Sequence, residues 1–298
     1  MLKSAEKARI LQEALPYIRE FHGKIFVIKY GGSAMLSGTL REAFAKDVVL
    51  MKYVGIEVVI VHGGGPQISE TLERLGIKSR FVGGMRKTDE ETMHVVEMVL
   101  SGDVNKDIVA LINRHSGEKV YAVGISGRDG RLLKARKLDV GRYFEQLGLP
   151  PPKEDVGYVG EIVEVNGDLI LSLLRSGFIP VIAPVGVGEE GEAYNVNADV
   201  AAAEIALHLR AEKLIFLTDT EGVRDEEGGV VSSLSKDKAR DLMERGVIRE
   251  GMIPKVSSAL RAMESGVRKV HIIDGRVPHS LLLEVFTEEG IGTEIVHR

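Results

Sequence analysis

Twice within its first quarter the chain runs an apolar strand straight into a glycine turn that opens on a helix. Gly23-Lys24-Ile25-Phe26-Val27-Ile28 is a short run with β-branched residues, the pattern of a strand covered on both faces. It ends in Lys29-Tyr30-Gly31-Gly32-Ser33, and residues 39–53 then read as a helix. A second apolar strand at 57–61 enters His62-Gly63-Gly64-Gly65-Pro66, followed by a helix over 67–75. Successive units of this kind imply parallel strands joined by right-handed crossovers. The predicted class is therefore α/β, with a mainly parallel central sheet. Ligands of such sheets bind beyond the carboxyl ends of the strands, which is where Lys29 and both glycine turns fall.

The rest of the chain fits one shared sheet. Residues 83–88 read as a polar loop, and 89–100 and 104–115 as two helices. Short strands at 120–124, 132–137 and 156–165 suggest hairpins, with Leu149-Pro150-Pro151-Pro152 a stiff connection between them. A helix at 169–176 and a strand at 179–183 precede a loop over 186–194 and a helix over 200–209. Strict alternation then resumes, with strands at 213–217, 270–273 and 292–296 and helices at 236–245, after Gly251 and at 279–286. Pro254 suits the first turn of the helix after Gly251.

Composition closes off several classes of function. A net charge of -5 on 298 residues leaves no electrostatic footprint for nucleic acid. With no cysteine, disulfides and thiolate zinc sites are excluded. Residues 1–9 are charged and lack the apolar core of a signal peptide, and no apolar run is long enough to span a bilayer. A soluble, cytoplasmic protein is expected.

Glycine lets a backbone approach a ligand with no Cβ in the way, and a turn opening on a helix can offer N–H groups to phosphate oxygens. None of Gly31-Gly32, Gly63-Gly64-Gly65 and Gly251 fits the Walker A spacing, and the triple glycine is not the dinucleotide fingerprint. Two such turns, together with Lys29 and Lys255, nevertheless point to a phosphate-handling crevice in which Gly32 and Gly64 face an oxyanion from opposite sides. Each residue also has a plainer reading. Lys255 can be an exposed helix lysine, and Asp199 a first-turn carboxylate favoured by the helix dipole. Arg86 can be a surface arginine on a glycine loop, and Asn195 a turn asparagine. His62 is expected to be packed and hydrogen-bonded rather than catalytic.

Lys29-Tyr30-Gly31-Gly32-Ser33, Val61-His62-Gly63-Gly64-Gly65-Pro66, Asn195-Val196-Asn197-Ala198-Asp199 and Gly251-Met252-Ile253-Pro254-Lys255 closely resemble the amino-acid kinase family, in the right order over essentially the whole chain. The resemblance implies a three-layer αβα sandwich on an open, mainly parallel central sheet, with a helical arm over 1–22, an acyl-acceptor and dimerisation lobe over 23–194, and an ATP lobe with a carboxyl-terminal effector segment over 195–298. Asn195 to Asp199 and Gly84-Met85-Arg86-Lys87-Thr88 are most similar to the member that phosphorylates the side-chain carboxylate of N-acetyl-L-glutamate, in arginine synthesis. By that resemblance Lys29 would stabilise the moving phosphoryl group from one lobe and Lys255 from the other, with Asp199 holding both lysines. Arg86 is the candidate for the substrate's α-carboxylate, since a guanidinium binds carboxylate through paired hydrogen bonds. Asn195 suits an N-acetylated amino acid because it both donates and accepts. Gly64 and Gly65 would touch substrate through main chain, and Gly31, Gly32 and Gly64 would face phosphate. Thr218, Asp219, Gly222, Val223 and Ile253 would border the nucleotide. The acceptor carboxylate, with an ordinary pKa of about 4.3, is already ionised at neutral pH and needs no general base. The acidic residues form no metal cage, so Mg²⁺ is expected to arrive on ATP.

Arginine-inhibited members carry an added amino-terminal helix and a matching carboxyl-terminal segment. Residues 2–21, with the stripe Ile10, Leu11, Leu15 and Ile18, and residues 270–293 correspond to them. This implies a homo-hexamer built as a trimer of dimers, and L-arginine as inhibitor near His271, Glu284 and Gly290. Rival readings are another family member, such as glutamate 5-kinase or carbamate kinase, and a non-catalytic amino-acid sensor. Paired phosphate lysines disfavour the sensor.

Overall fold

The computed structural model describes residues 4–118, 120–249 and 251–297. Helix α1 (Ser4–Phe21) leads into β1 (Ile25–Tyr30), a single 3-10 turn at Gly32–Met35, and α2 (Gly38–Tyr53). Then come β2 (Glu57–His62), α3 (Gly65–Arg74), β3 (Phe81–Val82), β4 (Met85–Arg86), α4 (Glu90–Glu97) and α5 (Asn105–His115). The middle supplies β5 (Tyr121–Ser126), β6 (Leu133–Lys137), α6 (Val140–Gln146), β7 (Val159–Val165), α7 (Gly167–Arg175), β8 (Phe178–Ala183), β9 (Val185–Val187) and β10 (Ala193–Val196). The remainder is α8 (Ala198–His208), β11 (Lys213–Thr218), β12 (Ser233–Ser235), α9 (Lys236–Glu244), α10 (Met252–Glu264), β13 (Lys269–Asp274), α11 (Ser280–Phe286) and β14 (Thr293–Val296).

Among the described residues the main sheet has eight strands in the order β12-β14-β13-β11-β1-β2-β8-β5. β1 lies at its centre, parallel to β2 and β11, while β14 runs antiparallel to β13. The pleat of β1 divides its side chains: Phe26, Ile28 and Tyr30 enter one core layer, and Val27 enters the other beside the alanines of α8. Lys29 follows Val27 on that second face, one step short of the glycine turn. Helix α8 therefore brings its first turn over the place where the lysine emerges. A second, closed sheet of four strands, β10-β7-β6-β9, sits beside the main one. Among the described residues no helix is long and apolar enough to cross a membrane.

Several elements differ from expectation. The two helices over 89–115 form one continuous helical run, with π geometry at Met98–Val104. Ser101, Gly102 and Asp103 are weak helix formers, yet the chain widens a turn rather than leaving the helix, and Leu100 and Val104 stay buried. The polar loop over 83–88 is part of the β3–β4 hairpin, whose turn glycines Gly83 and Gly84 have φ of 56° and 80°. The 120–124 stretch is no hairpin arm: β5 pairs in parallel with β8 at the sheet edge. The 186–194 loop contains antiparallel β9–β10 pairing, so Asn195 stands on a strand. Leu2 and Lys3 of the predicted first helix lie outside the described residues. Within α1, Ile10, Leu11 and Leu15 are exposed while Phe21 is buried.

Candidate active site

Three charged side chains far apart in sequence meet at the carboxyl end of β1. Asp199, in the first turn of α8, is only 5% exposed. Its Oδ2 accepts a hydrogen bond from Lys255 Nζ at 2.8 Å, and its Oδ1 lies 3.1 Å from Lys29 Nζ. Burial by itself opposes a charge on Asp199, but the two ammonium groups outweigh it and hold the carboxyl at about 2. The cluster has two cations for one anion, so it keeps an excess positive charge at neutral pH. The capping role that Asp199 could have played belongs to Asn197, whose Oδ1 accepts from the N–H groups of Asp199 and Val200 at 2.8 and 3.2 Å. Asn197 was legible as a residue type that precedes helices. Its effect is to free the aspartate for the lysines.

The two glycine turns lie side by side, tied by a hydrogen bond from Gly63 N–H to the Tyr30 carbonyl at 2.8 Å. A Cβ on Gly31 would stand 2.6 Å from Lys29 Nζ, so glycine there leaves the lysine its path to Asp199. Gly32 has φ +71°, and a Cβ on it would run into the Asp219 carboxylate. Asp219 accepts from the Ser33 N–H and hydroxyl at 2.7 and 2.6 Å. The residue expected at the nucleotide border thus straps the loop after β11 onto the first glycine turn. Thr218, Gly222 and Val223 are likewise drawn into the protein. Thr218 Oγ1 donates to the Thr220 carbonyl, Val223 N–H donates to Thr293 Oγ1, and Gly222 packs on that same threonine.

A cleft of about 1990 Å³ opens beside this cluster, lined by Gly64, Gly65, Arg86 and Asn195 from one side and Ile253 and Pro254 from the other. It exceeds the ~300–1,000 Å³ of a single small-ligand pocket, so two reactants can share it. Arg86 is 7% exposed and donates to the Gly65 carbonyl, Ser69 Oγ and Ser79 Oγ, with its guanidinium 4.7 Å from the Phe81 ring centre. Among the described residues no carboxylate comes within ion-pair distance of it. Asn195 donates to Thr88 Oγ1 at 3.2 Å, and Thr88 donates to the Arg86 carbonyl, so the two cleft residues share a brace. Among the described residues no group of three His, Cys, Asp or Glu side chains could hold a metal ion.

A second cluster lies between β13 and α11. His271 Nδ1 is 2.5 Å from Glu284 Oε1, and Glu284 Oε2 accepts from the Ile291 N–H at 2.9 Å. Gly290, with φ +60°, leaves just enough room for that carboxylate. Burial pushes His271 toward its neutral form; burial also opposes charge on Glu284, but its hydrogen bonds keep it below the usual carboxylate range. A neutral His271 that donates from Nδ1 must accept at Nε2, and that buried nitrogen has no partner among the described residues. Lys213, only 6% exposed, stands nearby with its ammonium 4.7 Å from the Phe21 ring centre. Sequence reasoning missed Lys213. A lysine opening a strand carries no mark of being buried.

The amino acid kinase family matches residues 24–274. An acetylglutamate kinase of Aquifex aeolicus (strain VF5) is 78% identical over 290 residues, covering 97% of each chain. The structure of the N-acetylglutamate synthase of Neisseria gonorrhoeae with coenzyme A and N-acetyl-glutamate superposes with a TM-score of 0.83 at 29% identity, over 98% of this chain and 63% of the synthase. The same synthase with coenzyme A and L-arginine gives 0.79 at 28% identity, over 98% and 65%. The chain therefore spans less than two thirds of the synthase's length.

Proposed function

The chain belongs to the amino acid kinase family, and from its cleft we propose that it moves the γ-phosphoryl group of ATP onto the side-chain carboxylate of N-acetyl-L-glutamate, in arginine biosynthesis. The observation that carries this reading is one buried carboxylate shared by two lysines, Lys29 and Lys255, which come from different halves of the chain. Phosphoryl transfer asks a protein mainly for alignment and charge neutralisation. The acceptor carboxylate and the triphosphate repel each other, and an excess cation between them offsets that repulsion. As the phosphoryl group passes, Lys29 faces the acceptor side and Lys255 the leaving oxygen, while Asp199 keeps the pair apart in the empty site. Arg86, a buried cation whose partners among the described residues are all neutral, takes the α-carboxylate; Asn195 takes the acetamido group. The N–H groups of Gly32 and Gly64 receive phosphoryl oxygens, and Ile253 borders the nucleotide. Magnesium would travel on the triphosphate, and no step is assigned to it. The test is ADP release on adding N-acetyl-L-glutamate, against free glutamate and carbamate. Equal turnover of free glutamate would overturn the assignment.

Regulation by L-arginine fits the second cluster. A guanidinium or ammonium donor would satisfy His271 Nε2 and meet Glu284, and Lys213 would meet a carboxylate. The exposed Ile10, Leu11 and Leu15 suit docking of α1 on another copy in a hexamer. Deleting residues 1–20 should reduce the assembly to dimers and blunt inhibition, as read by light scattering and by assay with arginine. A truncated hexamer with intact sensitivity would exclude this role for the arm.

A further inference from the structure

The second glycine turn is held from behind by a chain of buried hydrogen bonds that the reaction itself does not call for. Asn105, at the junction of the π stretch and α5, is fully buried. Its Oδ1 accepts from Lys106 Nζ at 2.9 Å and its Nδ2 donates to the Val181 carbonyl at 2.9 Å. An ammonium cannot accept and a carbonyl cannot donate, so the orientation of the amide is forced. The second Nδ2 hydrogen then points at His62 Nε2, 3.1 Å away, with the Ile125 carbonyl a longer contact at 3.4 Å. Nε2 must accept, which leaves the imidazole neutral with its one proton on Nδ1. That proton is donated to the Gly63 carbonyl at 2.8 Å. Complete burial, with Lys106 as the nearby charge, pushes His62 down to about 4 and favours the same neutral form.

The consequence follows from the planarity of the peptide bond. In a trans peptide the N–H of the next residue points opposite to the carbonyl. Fixing the Gly63 carbonyl toward His62 turns the Gly64 N–H away from it. Gly64 lines the cleft, and its N–H makes no hydrogen bond to the described residues. Leu100 of the π stretch packs against Gly64, where a Cβ would stand 2.5 Å from Leu100 Cδ2. We infer that His62 and Asn105 are positioning residues: together they aim the Gly64 N–H at the phosphoryl oxygen in transfer. The inference rests on the phosphotransfer reading above and adds the device that sets one donor's direction.

The experiment uses the full chain with His62→Leu, Asn105→Ala and His62→Asn. Removing one preorganised donor costs about a hundredfold or more in rate, so a mis-aimed one should cost His62→Leu at least about tenfold in kcat. Asn105→Ala should lose less, and KM for both substrates should stay near that of the parent. His62→Asn, whose amide nitrogen can reach the place of Nδ1, should recover most of the loss. Nitrogen NMR of the parent should find His62 neutral and protonated on Nδ1, with that tautomer no longer fixed in Asn105→Ala. A folded His62→Leu with parental kcat, an asparagine no better than leucine, or a parent protonated on Nε2 would each overturn the inference. A parent without phosphotransfer would overturn the proposed reaction instead, and the NMR result would still decide whether the hydrogen-bond chain exists.

Discussion

Asp199 beneath the cleft and Asp47 in the seam between α2 and α11 are 5% and 1% exposed, yet their acidities move in opposite directions. Asp199 is held at about 2, whereas burial pushes Asp47 up to about 6. Desolvation acts on both. What differs is the company: two lysines for Asp199, and for Asp47, among the described residues, only His279, whose Nδ1 is 2.6 Å from Oδ1. His279 takes a left-handed backbone conformation, φ 60°, to enter α11 beside that carboxylate. Burial thus does not decide whether a carboxylate keeps its charge; the number and permanence of its cations do. At Asp199 the surplus cation is left for a ligand. At Asp47 nothing is left over.

The sharpest way to break this contrast is to take one cation from Asp199. Lys29→Met or Lys255→Met should each cost about a hundredfold or more in kcat, the usual effect of removing a group that stabilises transition-state charge. A variant with parental turnover in the ADP-release assay would end the reading of the cluster. Next in size is Asp199→Asn, which strands two lysines. A carboxyl lowered from its ordinary 3.8 to about 2 contributes on the order of 2 kcal/mol, present above pH ~4 and lost as pH falls through the folded value. Urea unfolding should therefore show Asp199→Asn weaker than the parent at pH 7, with the gap narrowing near pH 3.

Glu284 extends the comparison to a carboxylate whose partner, His271, leans neutral. Glu284→Gln keeps the volume but removes the charge; on the regulation proposed above it should weaken inhibition by arginine about tenfold, the worth of one charged hydrogen bond. Unchanged sensitivity would remove Glu284 from the effector site. An effect of the opposite sign is expected at Asp47. Its weakened acidity gives stability that is present below pH ~4 and lost as pH rises through about 6. Asp47→Asn, still able to bond His279, should be more stable than the parent at pH 7–8 and no different near pH 4. A loss at pH 8 would show that the histidine contact outweighs burial.

Much of the architecture was legible because its signals are local. A β-branched run, a glycine pair and a helical stripe each act within a few residues, so the alternation and the position of Lys29 could be read directly. Boundaries failed where packing overruled propensity. Ser101-Gly102-Asp103 marked a helix break, yet burying Leu100 and Val104 kept the helix going with a wider turn. The small closed sheet was hidden because β9 and β10 are three and four residues long and find partners only across the fold. The strap from Asp219 to Ser33 was not legible because it depends on a turn 186 residues away.

By itself, then, the sequence determined the layered α/β class, the two glycine turns and the residue types able to handle phosphate and carboxylate. Tertiary structure alone decided which of them meet. β1 pairs with β11, and α8 lies across that pair beside α10, so positions 29, 199 and 255 converge on one carboxylate. The physical reason is range: propensity acts along a few residues, whereas a shifted acidity or an aimed N–H is set by atoms that only the folded chain brings within about 3 Å.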